Sequence, residues 1–368
     1  MKTKEEWIMT SQRMIDVVVG NQPDRIPYYM NATEALGARI SGLTIGEMLT
    51  SGKKLAKASI ETCDFLGSDI VVPVAPGGGY MAPFEAIAFA KANGKGHLAE
   101  YKDYDTPFIH EGKICETEED IEKLEIPDHR KVEPWPTLLE AYKYIEEMSG
   151  PRTMFSPSLT WSNVQLLRGS RAYLDVVKNP DLLLKLCDKI YESQMDFYKA
   201  FVDAVGKPFV LFNCQYAFNK HMLSFEDAWK FEGQYVAKFC KETQLPLMVH
   251  NCGFEPYWEE MVDRMREEGV PIVGVNGSHP LDLDYWVEFN KKYPELLIAG
   301  ASVYVNNEIV SGTPEDVKNR VKENIAKLGH TNKLMILPTC SAMWGSSLHN
   351  IMAAKEAVEE YGYYPLKV

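Results

Sequence analysis

Eight short apolar runs, separated by stretches of helical periodicity, restrict the folds open to this sequence more than any other feature. The runs are RIPYYMN (25–31), DIVVPV (69–74), RTMFSPS (152–158), KPFVLFN (207–213), LPLMVHNC (245–252), PIVGVNG (271–277), ELLIAGAS (295–302) and KLMILPTC (333–340). Each has the length and composition of a strand buried on both faces. SFEDAWKFEGQYVAKFCKE and FEPYWEEMVDRMREEG repeat apolar residues at three- and four-residue spacing, as a helix packed on a sheet must. GTPEDVKNRVKENIAKLG adds start and stop signals. Thr313 is the expected N-cap, Pro314 the first helical residue, Asp316 falls in the first turn and Gly329 follows the end. Eight strands alternating with helices predict an α/β chain closed into a (β/α)₈ TIM barrel. An open doubly wound sheet fits less well, because no G-x-G-x-x-G follows an early strand and APGGGYMAPF lacks that spacing.

The alternation breaks between residues 77 and 136, where Gly77, Gly78, Gly79, Gly94 and Gly96 accompany short mixed runs such as HLAEYKDY and PFIHEGKICE. This stretch is expected to be an insertion after strand two, forming a cap or docking element, within one barrel domain spanning 1–368. Composition narrows the partners. A net charge of −13 with no offsetting basic cluster argues against binding a phosphate backbone, so no nucleic acid is expected. No run approaches the roughly 18 apolar residues of a membrane span. The opening MKTKEEWIMTSQRMIDVVVG is amphipathic without a signal core, and seven irregularly spaced cysteines do not form a disulfide framework. A reducing cytoplasm is the expected setting.

LPLMVHNC ends in a histidine and a cysteine two positions apart. Alternate strand residues share a face, so His250 and Cys252 point the same way. Cys340 closes the eighth run. In a barrel the carboxyl ends of distant strands gather around one mouth, which brings all three donors to one place. One imidazole and two thiolates suit Zn²⁺, and three protein ligands leave a fourth position for substrate. Buried cysteine is more often a small hydrophobe, and Cys63, Cys115, Cys187 and Cys240, in helical or inserted stretches, are read that way. Only one of Asn213 and Cys214 can face inward. Asn213 is expected there, as a catalytic residue, with the Cys214 thiol packed away.

Several stretches resemble the uroporphyrinogen decarboxylase-like superfamily, and within it the zinc-dependent, corrinoid-linked methyltransferases. SQRMIDVVVGNQPDRIPYY resembles its opening helix, Pro-Asp-Arg turn and first strand. VHNCGFEPYWEEMVDRMREEGV resembles its His-x-Cys-Gly segment, and SGTPEDVKNRVKENI its Gly-Thr-Pro helix start. LPTCSAMWGSSLHNIMAAKEAVEEYG resembles its closing cysteine and final helix. The His-x-Cys…Cys trio is the specific part.

The resemblance implies zinc on His250, Cys252 and Cys340, and methyl transfer to or from the cobalt of a corrinoid. Zinc could hold a thiol as thiolate, or polarise the oxygen of a methyl ether. A corrinoid-binding Asp-x-His-x-x-Gly is missing, since none of the eight histidines has Asp two positions before it. The corrinoid is therefore expected on a separate partner protein. The decarboxylase branch would want arginines near strand one, where this chain has Asn31 and Glu34. Glu34 is instead expected to act as a fourth ligand or proton acceptor. Asn31, Tyr80, Met81, Tyr216 and Trp344 are expected to line the substrate mouth, which favours a methoxyaromatic donor. A sulfonated thiol acceptor would need Arg168 or Lys220 near the zinc.

Overall fold

The computed structural model describes residues 1–74, 81–100, 108–151 and 154–368. Five parallel strands lie in sequence order, Met154–Phe155, Val210–Cys214, Leu247–Asn251, Ile272–Gly277 and Leu297–Ile298. Single parallel bridges continue the curve: Ile298 and Val303 pair with Leu334 and Pro338, and Ile336 and Ala342 pair with Tyr28 and Ala32. The Asp69 amide then donates to Tyr28 O at 2.8 Å, joining the first and second segments. The expected barrel is present, with its eight runs in their expected order.

Regular ladders are shorter than the apolar runs because proline interrupts four of them. Pro27, Pro73, Pro157 and Pro338 each remove a backbone donor, leaving isolated bridges or unladdered segments where the sequence suggested continuous strands. The barrel interior is nonetheless continuous. Tyr29, Ile70, Val72, Met154, Val210, Phe212, Met248, Leu297, Ala299, Met335 and Leu337 form one buried cluster, with Val273 packed against it, so every one of the eight segments contributes.

The Lys4–Val19 helix seals the amino-terminal end of that interior. Thr3 and Glu6 form its capping box, and Gly20 ends it in the left-handed region at φ 88°. Met14, Val17 and Val18 lie against the interior cluster and leave a cavity of only 30 Å³ behind them. Such side chains stabilise by about 1.5–3 kcal/mol each when fully buried.

Beside this floor, the Pro-Asp-Arg turn has a clear physical role. Arg25 donates to both Asp69 oxygens at 2.9 and 2.7 Å, and Arg13 reaches Asp69 at 2.8 Å and Asp24 at 2.6 and 2.8 Å. The Tyr28 amide also donates to Asp69 at 2.8 Å. Asp69 is fully buried, so its charge is tolerated only because these donors surround it. The network ties the opening helix to the first two segments.

The helix Pro314–Leu328 begins as expected, with Thr313 accepting from Asp316 N and Asp316 returning a bond to the cap amide. Within the interrupting stretch, the structure describes the helix Ala82–Ala92, a two-stranded hairpin pairing Ala99–Glu100 with Phe108–Ile109, and the short helix Glu118–Glu122. Gly112 N and Cys115 N donate to Leu166 O and Leu167 O, which fixes this stretch to the Thr160–Arg168 helix. His129 bridges Glu85 and Asp196 at 3.1 Å on either side, tying it also to the Pro180–Val205 helix. Burial alone would lower the His129 pKa, but the charges and hydrogen bonds of Glu85 and Asp196 outweigh it and hold it above its ordinary value. Among the described residues, no helix is long and apolar enough to cross a membrane.

Candidate metal centre

Strand parity builds the site. Met248 points into the barrel, so His250, two residues on, does too, at the carboxyl end of Leu247–Asn251. The register sets Cys214 beside His250 on one neighbouring strand and Asn276 beside it on the other. Cys214 Sγ, a His250 ring nitrogen and Cys252 Sγ all lie within 4.8 Å of one another. The Cys340 thiol, leaving the eighth segment, lines the same cleft as Cys252, and both Cys252 and His250 are near enough to shift its ionisation. This end thus sets two expected donors, His250 and Cys252, beside a further one, Cys214, that was expected elsewhere, with Cys340 on the nearby cleft wall.

That fourth residue corrects the reading of strand four. Val210 and Phe212 face the barrel interior, so Cys214 shares their face, while Asn213 pairs with Val249 on the helix side. The Asn213 amide donates to Pro157 O at 2.9 Å and is a positioning residue that ties two strand ends together. VLFNC itself carries no parity signal, because apolar side chains occupy both of its faces.

His250 is oriented from behind. Asn276 donates through Nδ2 to Ala299 O at 2.9 Å, which fixes its amide orientation and leaves Oδ1 as an acceptor toward His250 Nδ1. Nδ1 must therefore carry the proton, which puts the lone pair on Nε2, the tautomer a metal ligand needs. Gly253 follows Cys252 because a Cβ there would collide with the Asn219 side-chain amide. Without an ion, the Cys340 thiol is pushed up to about 12, first by its hydrogen bond with Cys252 and then by burial, against the pull of the imidazole. A divalent cation would reverse that balance.

Cys252 and Cys340 open onto a cleft of 390 Å³, lined also by Thr33, Phe254, Ser278, His279, Tyr304 and Met343. Phe254 stacks near His279 with ring centroids 4.8 Å apart, and His279 lies 5.6 Å from Tyr304. Burial lowers the His279 pKa, so the ring is neutral at pH 7. No Arg or Lys lines the cleft among the described residues. Arg168 is committed to Asp175 at 2.7 Å, and Lys220 sits 5.8 Å from the Tyr257 ring.

The other expected residues are dispersed. Asn31 donates to Ser341 Oγ at 2.9 Å, bracing the segment that follows Cys340. Glu34 is fully buried at the first position of the Glu34–Ser41 helix, next to Thr33 of the cleft. Met81 is buried in the outer core with its sulfur 4.0 Å from Tyr142 OH, so it packs against a helix and not in the mouth. Tyr216 is half-buried near Gln165 and Tyr173, and burial raises its pKa. Trp344 is 42% exposed on the rim. Tyr80 lies outside the described residues.

A buried carboxyl close to this end was not foreseen. Glu232, in a π-helical turn at Trp229–Gly233, accepts from Ala217 N at 3.2 Å, and burial pushes its pKa up to about 8. A carboxyl near 4.5 in the unfolded chain and about 8 in the folded one takes up a proton on folding. Its contribution is fully present below pH 4.5 and is lost as pH rises through 8. Glu232→Gln is expected to remove a few kcal/mol of the stability lost between pH 5 and 8, read by urea unfolding at both values. Parallel pH slopes in wild type and variant would contradict the assignment.

Against this geometry, known proteins place the chain. The profile described as Uroporphyrinogen decarboxylase (URO-D) matches residues 9–361. The chain belongs to the uroporphyrinogen decarboxylase family. A solved methyltransferase from Methanosarcina mazei superposes with a TM-score of 0.74 at 17% identity, covering 95% of this chain and 98% of that one. That likeness fixes the shared fold of this URO-D family member. Xylanase B from Clostridium stercorarium F9 aligns over 56% of this chain and 72% of its own, at 14% identity and a TM-score of 0.35. No curated protein matches the chain.

Proposed function

We propose that this chain is a zinc-dependent methyltransferase that moves a methyl group between a small substrate and the cobalt of a separate corrinoid protein, in the cytoplasm. The observation that carries the reading is the clustering of Cys214, His250 and Cys252 at the carboxyl end of the strands, with Cys340 beside Cys252 on the wall of one cleft. The donor types and their mutual closeness fit a zinc ion, which would supply Lewis acidity toward a substrate oxygen or sulfur. The free state of all seven cysteines accords with a reducing compartment.

The chain's own residues do the rest. Asn276 holds the His250 tautomer, Asn31 braces the loop after Cys340, and Phe254, His279 and Tyr304 form an aromatic wall. That wall suits a methoxyaromatic ring stacked with its oxygen toward the thiols. Glu34, buried next to Thr33 of the cleft, would serve as a proton acceptor. Exposed Phe254 (68%), Met343 (51%) and Trp344 form an apolar rim that fits a docking partner. The 77–136 insertion, whose described part is fixed to two flanking helices, would be the outer wall of that docking face.

The lack of Arg and Lys among the described residues of the cleft favours this reading over a porphyrinogen-type decarboxylase, whose several carboxylates would need them. Transfer to a sulfonated thiol is disfavoured on the same ground, since Arg168 and Lys220 are engaged elsewhere. Purified protein is expected to hold one zinc per chain and to convert a cobalt(I) corrinoid and a methoxyarene to the methyl-cobalt absorbance spectrum. Folded, active protein without metal would overturn the proposal.

A further inference from the structure

We propose that Cys214 is a fourth protein ligand, so that the substrate-free centre is a closed set of three thiolates and one imidazole. The inference rests on the metal reading above and adds to it the residue that fills the position a three-ligand site would leave open. Cys214 and His250 are register partners on adjacent parallel strands and share the inward face. The Cys214 thiol, His250 and Cys252 lie within 4.8 Å of each other, close to the roughly 3.5–4 Å ligand separations implied by zinc bonds of about 2.0–2.3 Å. Cys340 lines the same cleft as Cys252 and would supply the fourth vertex.

A second observation separates Cys214 from an ordinary core thiol. Five cysteines are buried, and four of them, Cys63, Cys115, Cys187 and Cys240, sit within the hydrophobic core between barrel and helices. Cys214 is buried yet belongs neither to that core nor to the apolar barrel interior below it. Its backbone is also held in place. Gln215 N donates to His250 O at 2.9 Å, and Gln215 O accepts from Asn251 Nδ2 at 2.8 Å, so the strand end carrying Cys214 is locked to the strand carrying His250. Rigid placement of a small thiol at a polar strand end is what a ligand requires.

The chemical consequence concerns the protein before substrate arrives. Cys252 and Cys340 line the cleft whereas Cys214 lies deeper, so the fourth ligand would occupy the barrel side of the ion. Three thiolates leave the centre with one net negative charge, and no position remains for water. A three-ligand centre would instead be neutral and hydrated.

X-ray absorption at the zinc edge of the full-length zinc protein reads this directly. Three sulfurs and one nitrogen are expected in wild type, falling to two sulfurs in Cys214→Ser. Zinc retention against a chelator should weaken by more than the roughly 10–100-fold that loss of a supporting group costs. Two sulfurs in wild type would overturn the proposal while leaving the three-ligand centre intact. Three sulfurs persisting in the variant would overturn it as well. Protein that binds no zinc at all would bring down the metal reading itself. If Cys214→Ser does not fold, the wild-type sulfur count alone decides.

Discussion

Replacing Cys340 with alanine is expected to weaken the centre's hold on its metal and lower methyl transfer by at least about 10³-fold, while the barrel stays folded. The residue is only half-buried, at a strand end beyond the apolar interior, so the lost packing is small. The catalytic loss is large because Lewis-acid stabilisation is worth several kcal/mol, and about 4 kcal/mol corresponds to three decades in rate. Metal content, circular dichroism and a thermal melt on one preparation separate the alternatives. A variant that loses zinc and unfolds would show the ion to be structural, since such ions contribute folding free energy outright. A variant that keeps both zinc and activity would remove Cys340 from the centre.

The second large effect lies at the opposite end of the barrel. Asp69→Ala should cost about 3–5 kcal/mol, because it leaves the Arg13 and Arg25 guanidinium groups buried without their shared carboxylate. Asp24→Ala removes a partner whose side chain is largely exposed, and should cost far less. Urea unfolding of the two variants measures the contrast directly. Equal losses would mean that the network acts through the turn and not through the buried charge.

The barrel could be read from the sequence because its signal is redundant. Eight separate apolar runs each report the same architecture, and prolines that shorten individual ladders do not change the order of the runs. That His250, Cys252 and Cys340 lie near one another was legible for a similar reason, each closing a run whose end must face the mouth. Cys214 was not, because it shares a strand end with Asn213, and a run buried on both faces hides which parity points inward. Only the cross-strand register to His250 resolves it. Met81 shows another limit. An apolar residue after a strand reads equally as mouth lining or helix packing, and here the Tyr142 contact decides. Asn276 and Glu232 carried no pattern at all, since their roles depend on partners brought together by the fold.

The packed barrel interior, closed below by Met14, Val17 and Val18, leaves the cleft as the approach to the thiols. Whatever reaches the thiols must come and go by the same doorway. With the proposed carrier protein docked there, a compact reactant could not pass it, so the compact one would have to board first and the carrier would then act as a stopper. Under the proposed function turnover would be ordered, and an excess of carrier should slow the reaction by covering empty clefts.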